Sequence, residues 1–197
     1  MRTYTPDILA ADLDVVFCGI NPALTAQADG YNFSSPTNRF WAAIHRAGFT
    51  DRQLAPAEER RLLDYGCGVT AVVTRPTSGA DEVSDLEIRQ SLSAFEAKMR
   101  AISPRVLAFL GKPAVAVVIG TRSVGWGLQQ DTVAGAAVWV LPNPSGRNRR
   151  FTLDALVTAY AELHDYVATN RSRYAPSRSV TSPASSPTSA RSSTTSP

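Results

Sequence analysis

The sequence predicts an α/β fold, a mostly parallel central sheet covered by helices on both faces, with one domain over residues 1–170 and a disordered Ser/Pro/Arg-rich tail over residues 171–197. Three observations carry this expectation. Short apolar runs rich in Val, Leu and Phe recur along the chain, separated by stretches with helical spacing. Two of those runs end in loops of the same kind, Cys18-Gly-Ile-Asn-Pro-Ala23 and Asn143-Pro-Ser-Gly-Arg-Asn-Arg-Arg150, and open α/β sheets keep their ligand sites in the loops beyond strand ends. After residue 170 the composition shifts to Ser, Thr, Pro and Ala, with too little apolar side chain to offset the entropy of ordering.

Each element has a local reason. Leu13 to Gly19 reads as a buried strand. Arg39 to Ala47 reads as a helix with Phe40, Ala43, Ile44 and Ala47 on one face, and Ala57 to Tyr65 as a second helix ended by Gly66. Val69 to Val73 is short and β-branched, hence a strand. Ser84-Asp85-Leu86-Glu87 has the capping-box pattern and opens a helix carrying Leu86, Ile88, Leu92, Phe95 and Met99. Arg105 to Leu110 is the next strand, stopped by Gly111; Pro113 then starts a short helix to Ile119. The strand Ala137 to Leu141 leads into the second Asn-Pro loop. Thr152 caps a final helix whose apolar positions are Leu153, Leu156, Val157, Tyr160, Leu163 and Val167.

Composition narrows the function classes. A chain of 197 residues with 44% apolar content suits one buried domain. Its longest apolar runs fall well short of the roughly 18 residues that cross a bilayer, and no basic-then-apolar leader opens it. A soluble, cytoplasmic protein that makes no membrane contact is expected. Cys18 and Cys67 are too few for a disulfide framework or a four-cysteine metal site and read as buried thiols. His45 and His164 fall on predicted helices without metal-ligand spacing, and Trp41, Trp126 and Trp139 read as core or rim packing. There is no GxGxxG, no GK[ST] and no GxSxG, so neither a nucleotide-phosphate fingerprint nor a serine elbow is present.

The net charge of +3 hides an asymmetry: residues 171–197 hold four Arg and no acid, which leaves −1 for residues 1–170. Contact with nucleic acid therefore has to come from a local patch, and Arg147, Arg149 and Arg150 form one. In a parallel sheet the carboxyl ends of the strands share one rim, which brings Asn21 and Asn143 to the same crevice. One Asn-Pro pair after a strand is a turn signal; two at one rim suggest a site.

Six segments then carry a resemblance: GINPA at 19–23, NRFWAAIHRAGFTDRQL at 38–54, LLDYGCGVT at 62–70, RPT at 75–77, EVS at 82–84 and WVLPNPSG at 139–146. Together, and in order from about residue 13 to 165, they resemble the mismatch-specific uracil-DNA glycosylases, the bacterial Mug enzymes related to thymine-DNA glycosylase. The resemblance implies a three-layer αβα sandwich of the uracil-DNA glycosylase kind, a monomer. It also implies a repair activity that takes uracil opposite guanine out of double-stranded DNA and leaves an abasic site, without metal or cofactor.

Such chemistry requires extruding the base, filling the hole and holding the base in a pocket. By resemblance Asn21 positions the attacking water through its amide oxygen. An amide is no strong base, so catalysis is expected to be slow and to rest on positioning and aimed dipoles. Gly19, Ile20, Pro22, Ala23, Ala26, Phe33, Ala71 and Asn143 fall at pocket positions. Phe33 is expected to stack on the base, and its polar neighbours Asn32, Ser34 and Ser35 argue for a rim position; the N–H groups of Ile20 and Phe33 would bond the base's carbonyl edge. In the second loop Arg147 matches the wedge, Gly146 and Asn148 would read the widowed guanine largely through main-chain groups, and Ser145, Arg149 and Arg150 complete the backbone contacts.

Three alanines depart from the Mug pattern: Ala23 replaces Gly, Ala26 replaces Ser and Ala71 replaces Lys. They leave open whether thymine, ethenocytosine or hypoxanthine is also accepted. Asp29, in the first loop, reads as a solvated acid. The alternatives are a catalytically weak lesion-binding protein and an unrelated nucleotide-binding α/β module.

Overall fold

Val15 pairs with Cys67 on one side and with Val106 on the other, which sets β1 (Val15–Gly19) between β2 (Cys67–Ala71) and β3 (Val106–Leu110). The computed structural model describes residues 6–121 and 123–170; the expected tail, 171–197, lies outside the described residues. Beyond β3 the sheet continues through β5 (Ala136–Leu141) to the edge strand β4 (Gly127–Val133), in the order β2-β1-β3-β5-β4. Four strands run parallel and β4 runs antiparallel to β5.

Helices cover both faces, as the sequence predicts. On one side α2 (Phe40–Arg46) and α5 (Leu153–Asn170) pack over Phe17, Val69, Ala108 and Trp139; on the other, α3 (Asp85–Ile102) and α4 (Lys112–Val118) cover Val16, Leu107, Phe109 and Val138. Alternate residues of each strand thus feed two separate cores. Phe17 is the hub of the first, edge-on to Phe40 at 5.2 Å and Phe49 at 5.4 Å between ring centres, and truncating it to Ala would cost about 3–5 kcal/mol.

Some boundaries differ from the sequence reading. Residues Pro56–Tyr65 form a 3₁₀ helix, closed as expected by Gly66 at φ 68°. β2 lies two residues earlier than the predicted Val69 to Val73, because its pairing with β1 starts at Val15↔Cys67. Val72 and Val73 leave the sheet but still donate to the carbonyls of Gly19 and Ile20, at 3.1 and 2.9 Å. α1 (Leu24–Asp29) and β4 were not anticipated. Trp41 and Trp139 are core residues, whereas Trp126 is 48% exposed, edge-on to Phe151 and under the Lys112 ammonium at 4.5 Å. No helix among the described residues is long and apolar enough to cross a membrane.

Candidate functional site

The chain passes from β1 outward to β2 and then crosses back to β3 on the other side of β1, so the carboxyl ends of β1 and β3 form a topological switch point, where open α/β sheets accommodate ligands. A cavity of about 630 Å³ lies there, within the usual range for small-molecule sites. Its lining joins the end of β1 (Gly19), the loop after it (Ile20, Asn21, Pro22, Ala23), Ala26 of α1, Phe33, Ala71 at the end of β2, and the loop after β5 (Asn143, Ser145 to Asn148). The structure thus brings the two Asn-Pro loops into one cavity. Arg149 and Arg150 are exposed beside it and do not line it, and Asp29 is exposed on α1 outside the lining. A second depression, about 710 Å³, opens at the amino ends of the strands, where Arg105 is ion-paired with Asp14 at 2.5 Å; none of the loops just described reaches it.

Asn21 is held from one side. Its Nδ2 donates to the Arg75 carbonyl at 2.8 Å and to the Thr77 hydroxyl at 2.7 Å, which uses both amide hydrogens. The amide oxygen, without a protein partner among the described residues, is left to accept. Thr77 is itself fixed, donating through Oγ1 to Gly79 O at 2.7 Å, and the Arg75 side chain is anchored by a bidentate pair with Glu87, 2.8 Å for each bond. That guanidinium holds the Glu87 carboxyl below its usual range.

Phe33 is half-buried: one face stacks on Phe40, 4.0 Å between ring centres, and the residue also lines the cavity. Its backbone has φ 53°, a left-handed conformation uncommon for a bulky residue. The adjacent Asn32 explains how it is kept there, because the buried Glu59 carboxylate accepts from the Asn32 N–H at 2.7 Å and from its side chain at 3.1 Å. The N–H groups of Ile20 and Phe33 make no hydrogen bond among the described residues.

The second loop is a closed set of hydrogen bonds. Asn143 Oδ1 accepts from Ser145 N–H at 2.9 Å, and Asn148 Nδ2 donates to the Asn143 carbonyl at 2.8 Å. Asn148 N–H donates to the Ser145 carbonyl at 2.9 Å and the Asn148 carbonyl accepts from Arg39 at 2.8 Å, so the main chain of Asn148, expected to face a guanine, is engaged inside the loop. Between Ser145 and Arg149 only Gly146 has a free N–H among the described residues. Gly146 is required by close approach: a Cβ there would stand 2.5 Å from Thr37 Cβ and Oγ1.

Asp81 and Arg147 are the ionisable residues of the lining. Burial pushes the Cys18 thiol well above its ordinary value, which leaves it protonated and inert below the site. No group of three or more His, Cys, Asp or Glu among the described residues is placed to hold a metal ion. Arg39, Glu59, Thr77 and Asp81 escaped the sequence reading. Thr77 and Arg39 lie in segments that carry the resemblance, RPT and NRFW, yet their roles depend on contacts with distant residues.

A mostly parallel α/β sheet thus carries a largely uncharged cavity at its switch point, with an arginine-rich loop at the cavity mouth. Residues 6–164 match the model of the uracil DNA glycosylase superfamily, and the chain belongs to that superfamily. The solution structure of a candidate uracil DNA glycosylase from Methanosarcina acetivorans has the same fold, with a TM-score of 0.56 and 21% identity over 83% of this chain and 99% of that one.

Proposed function

We propose that this protein is a monofunctional DNA glycosylase that extrudes uracil facing guanine in double-stranded DNA and hydrolyses its N-glycosidic bond. The observation that carries this reading is the fixed Asn21 amide, both hydrogens committed to Arg75 O and Thr77 Oγ1, with its oxygen left to orient a water. Water adds to the sugar C1′ as the bond from C1′ to N1 of uracil breaks. The bonding electron pair leaves with the base, and the water's proton passes to solvent. Asn21 contributes geometry rather than basicity, so the rate rests on alignment and on donors that meet the charge growing on the leaving base. The free N–H groups of Ile20 and Phe33 are such donors, and the Phe33 ring, braced by Phe40, offers a stacking surface.

Arg147 fills the vacated stack with its planar head, and the exposed Arg149 and Arg150 meet the phosphates. Ala23, Ala26 and Ala71 put small side chains on the cavity wall, which leaves room for pyrimidines with a 5-substituent. The protein works as a monomer and needs no cofactor.

Single-turnover release from duplexes differing only in the target base, with a single-stranded uracil control, tests the reading. Asn21→Ala is expected to slow release from a G:U duplex by about 10²–10³ while duplex binding persists. Wild-type rates in that variant would refute the role of Asn21, and mismatch affinity with no base release by the native protein would refute the glycosylase reading.

A further inference from the structure

Arg39, at the start of α2, sends its side chain into the loop after β5 rather than to any carboxylate among the described residues. Its Nη2 donates to the carbonyls of Ser145 and Asn148 at 2.8 Å each, Nε to the Pro144 carbonyl at 3.3 Å, and Nη1 to the Phe151 carbonyl. Its backbone N–H also donates to Pro144 O, at 3.0 Å. One guanidinium therefore gathers four carbonyls from eight consecutive residues. No ion pair of Arg39 is found among the described residues, so its positive charge is balanced by main-chain dipoles.

The consequence is directional. In a trans peptide the C=O and the following N–H point in opposite senses. With the Ser145 carbonyl drawn onto Arg39, the Gly146 N–H is turned away from Arg39, and this is the free donor at the loop tip. Thr37, against Gly146, blocks the loop from sinking further toward α2. Five donors in a rigid fork suit such a task, whereas a lysine ammonium satisfies fewer acceptors without fixing a plane.

We infer that Arg39 is a positioning residue that orients the Gly146 N–H toward the base opposite the extruded nucleotide, and so sets discrimination for the opposite base rather than the chemical step. This rests on the glycosylase reading above. The experiment compares wild type, Arg39→Lys and Arg39→Met in single-turnover uracil release from three duplexes, with uracil facing guanine, adenine or an abasic-site analogue. The wild-type arm reports on the glycosylase reading, and the variants report on Arg39.

In both variants the preference for uracil facing guanine over uracil facing the abasic analogue is expected to fall at least about tenfold, with less change in the abasic-site rate itself. A merely structural or electrostatic role predicts otherwise: all three rates fall by one factor, or Lys restores the preference, and either result overturns the inference. Should Arg39→Met fail to fold, as judged by its melting transition, Arg39→Lys decides the question alone. Absence of release by wild type from every duplex would overturn the glycosylase reading and remove this inference with it.

Discussion

The Asn21 amide and the Thr77 hydroxyl, 56 residues apart in sequence, meet at 2.7 Å with Asn21 as the donor. The contact is seated in backbone pairing, since Thr77 N–H donates to Pro22 O at 3.1 Å and Leu24 N–H donates to Thr77 O at 3.0 Å. Thr77 thus decides which way the amide of Asn21 faces.

Replacing the hydroxyl by a methyl should release that constraint without emptying the site. Thr77→Val is expected to lower the single-turnover rate about 10–100-fold, the scale of a small misplacement of a reacting group. Affinity for the uncleaved duplex should stay within about twofold by gel shift, because the hydroxyl is engaged by Asn21 and Gly79. An unchanged rate would show that Arg75 O alone orients Asn21.

The pH profile offers a second check. Asn21 does not ionise, and Asp81 is the one carboxylate lining the cavity among the described residues. Because the residue assigned to the water carries no titrating proton, base release is expected to vary little between about pH 6 and 8. An acidic limb that vanishes in Asp81→Asn would make Asp81 a general base and displace Asn21 from that step.

Gly146→Ala should damage the loop while sparing the sheet. The added Cβ would lie 2.5 Å from the Thr37 side chain and 2.7 Å from its carbonyl oxygen, so loop and helix start must part. Uracil release is expected to drop at least about tenfold with the melting temperature nearly unchanged, the cost falling on an exposed loop. Adding Thr37→Ala should restore only part of the rate, since the Thr37 Cβ and carbonyl oxygen both persist as obstacles; full recovery would place the clash in the Thr37 hydroxyl.

Acid should loosen the molecule gradually. Hydrogen bonds from the Arg52 guanidinium and then from Ala55 N–H hold the Glu58 carboxyl down at about 2, against an ordinary 4.5. Glu87 is lowered by Arg75, Glu82 by the Ser78 hydroxyl and Asp51 by Tyr65. A carboxyl depressed by folding stabilises above its unfolded value, and that stabilisation is lost as pH falls through the folded one. Melting temperature should thus decline from about pH 5 toward about pH 2, and Glu58→Gln should flatten part of the decline. The pairs are solvent-exposed, so added salt should shrink the effect.

Strands and long helices were legible in the sequence because local signals agreed with tertiary placement. Ser84 accepts from Glu87 N–H at 3.2 Å and Thr152 from Ala155 N–H at 3.2 Å, as their cap patterns imply. β4 was not legible for two reasons. It exposes most of its residues at the sheet edge, so it lacks an apolar run. The turn to β5 is Ala134-Gly135, with φ 53° and 89°, a tight hairpin conformation that Asn-Gly or Asp-Gly usually announces. α1 has no side-chain cap, and so no start signal.

For the site, the sequence by itself determined which residue types are present and at which rim they gather. Two Asn-Pro loops after buried strands must meet once the sheet is parallel, and the strand order then sets them about the β1/β3 switch point. Tertiary structure alone decided what each loop can do. The free oxygen of Asn21 exists because Thr77 and Arg75 take its hydrogens, the left-handed Phe33 is kept in place beside the Asn32 to Glu59 bonds, and the Ser145 carbonyl, in the same peptide as the unbonded N–H of Gly146, is held by Arg39. Each is a directional hydrogen bond between segments far apart in the chain. Hydrophobic periodicity is a local property and records the burial of a segment, whereas the direction of a polar group is fixed only when its distant partner arrives.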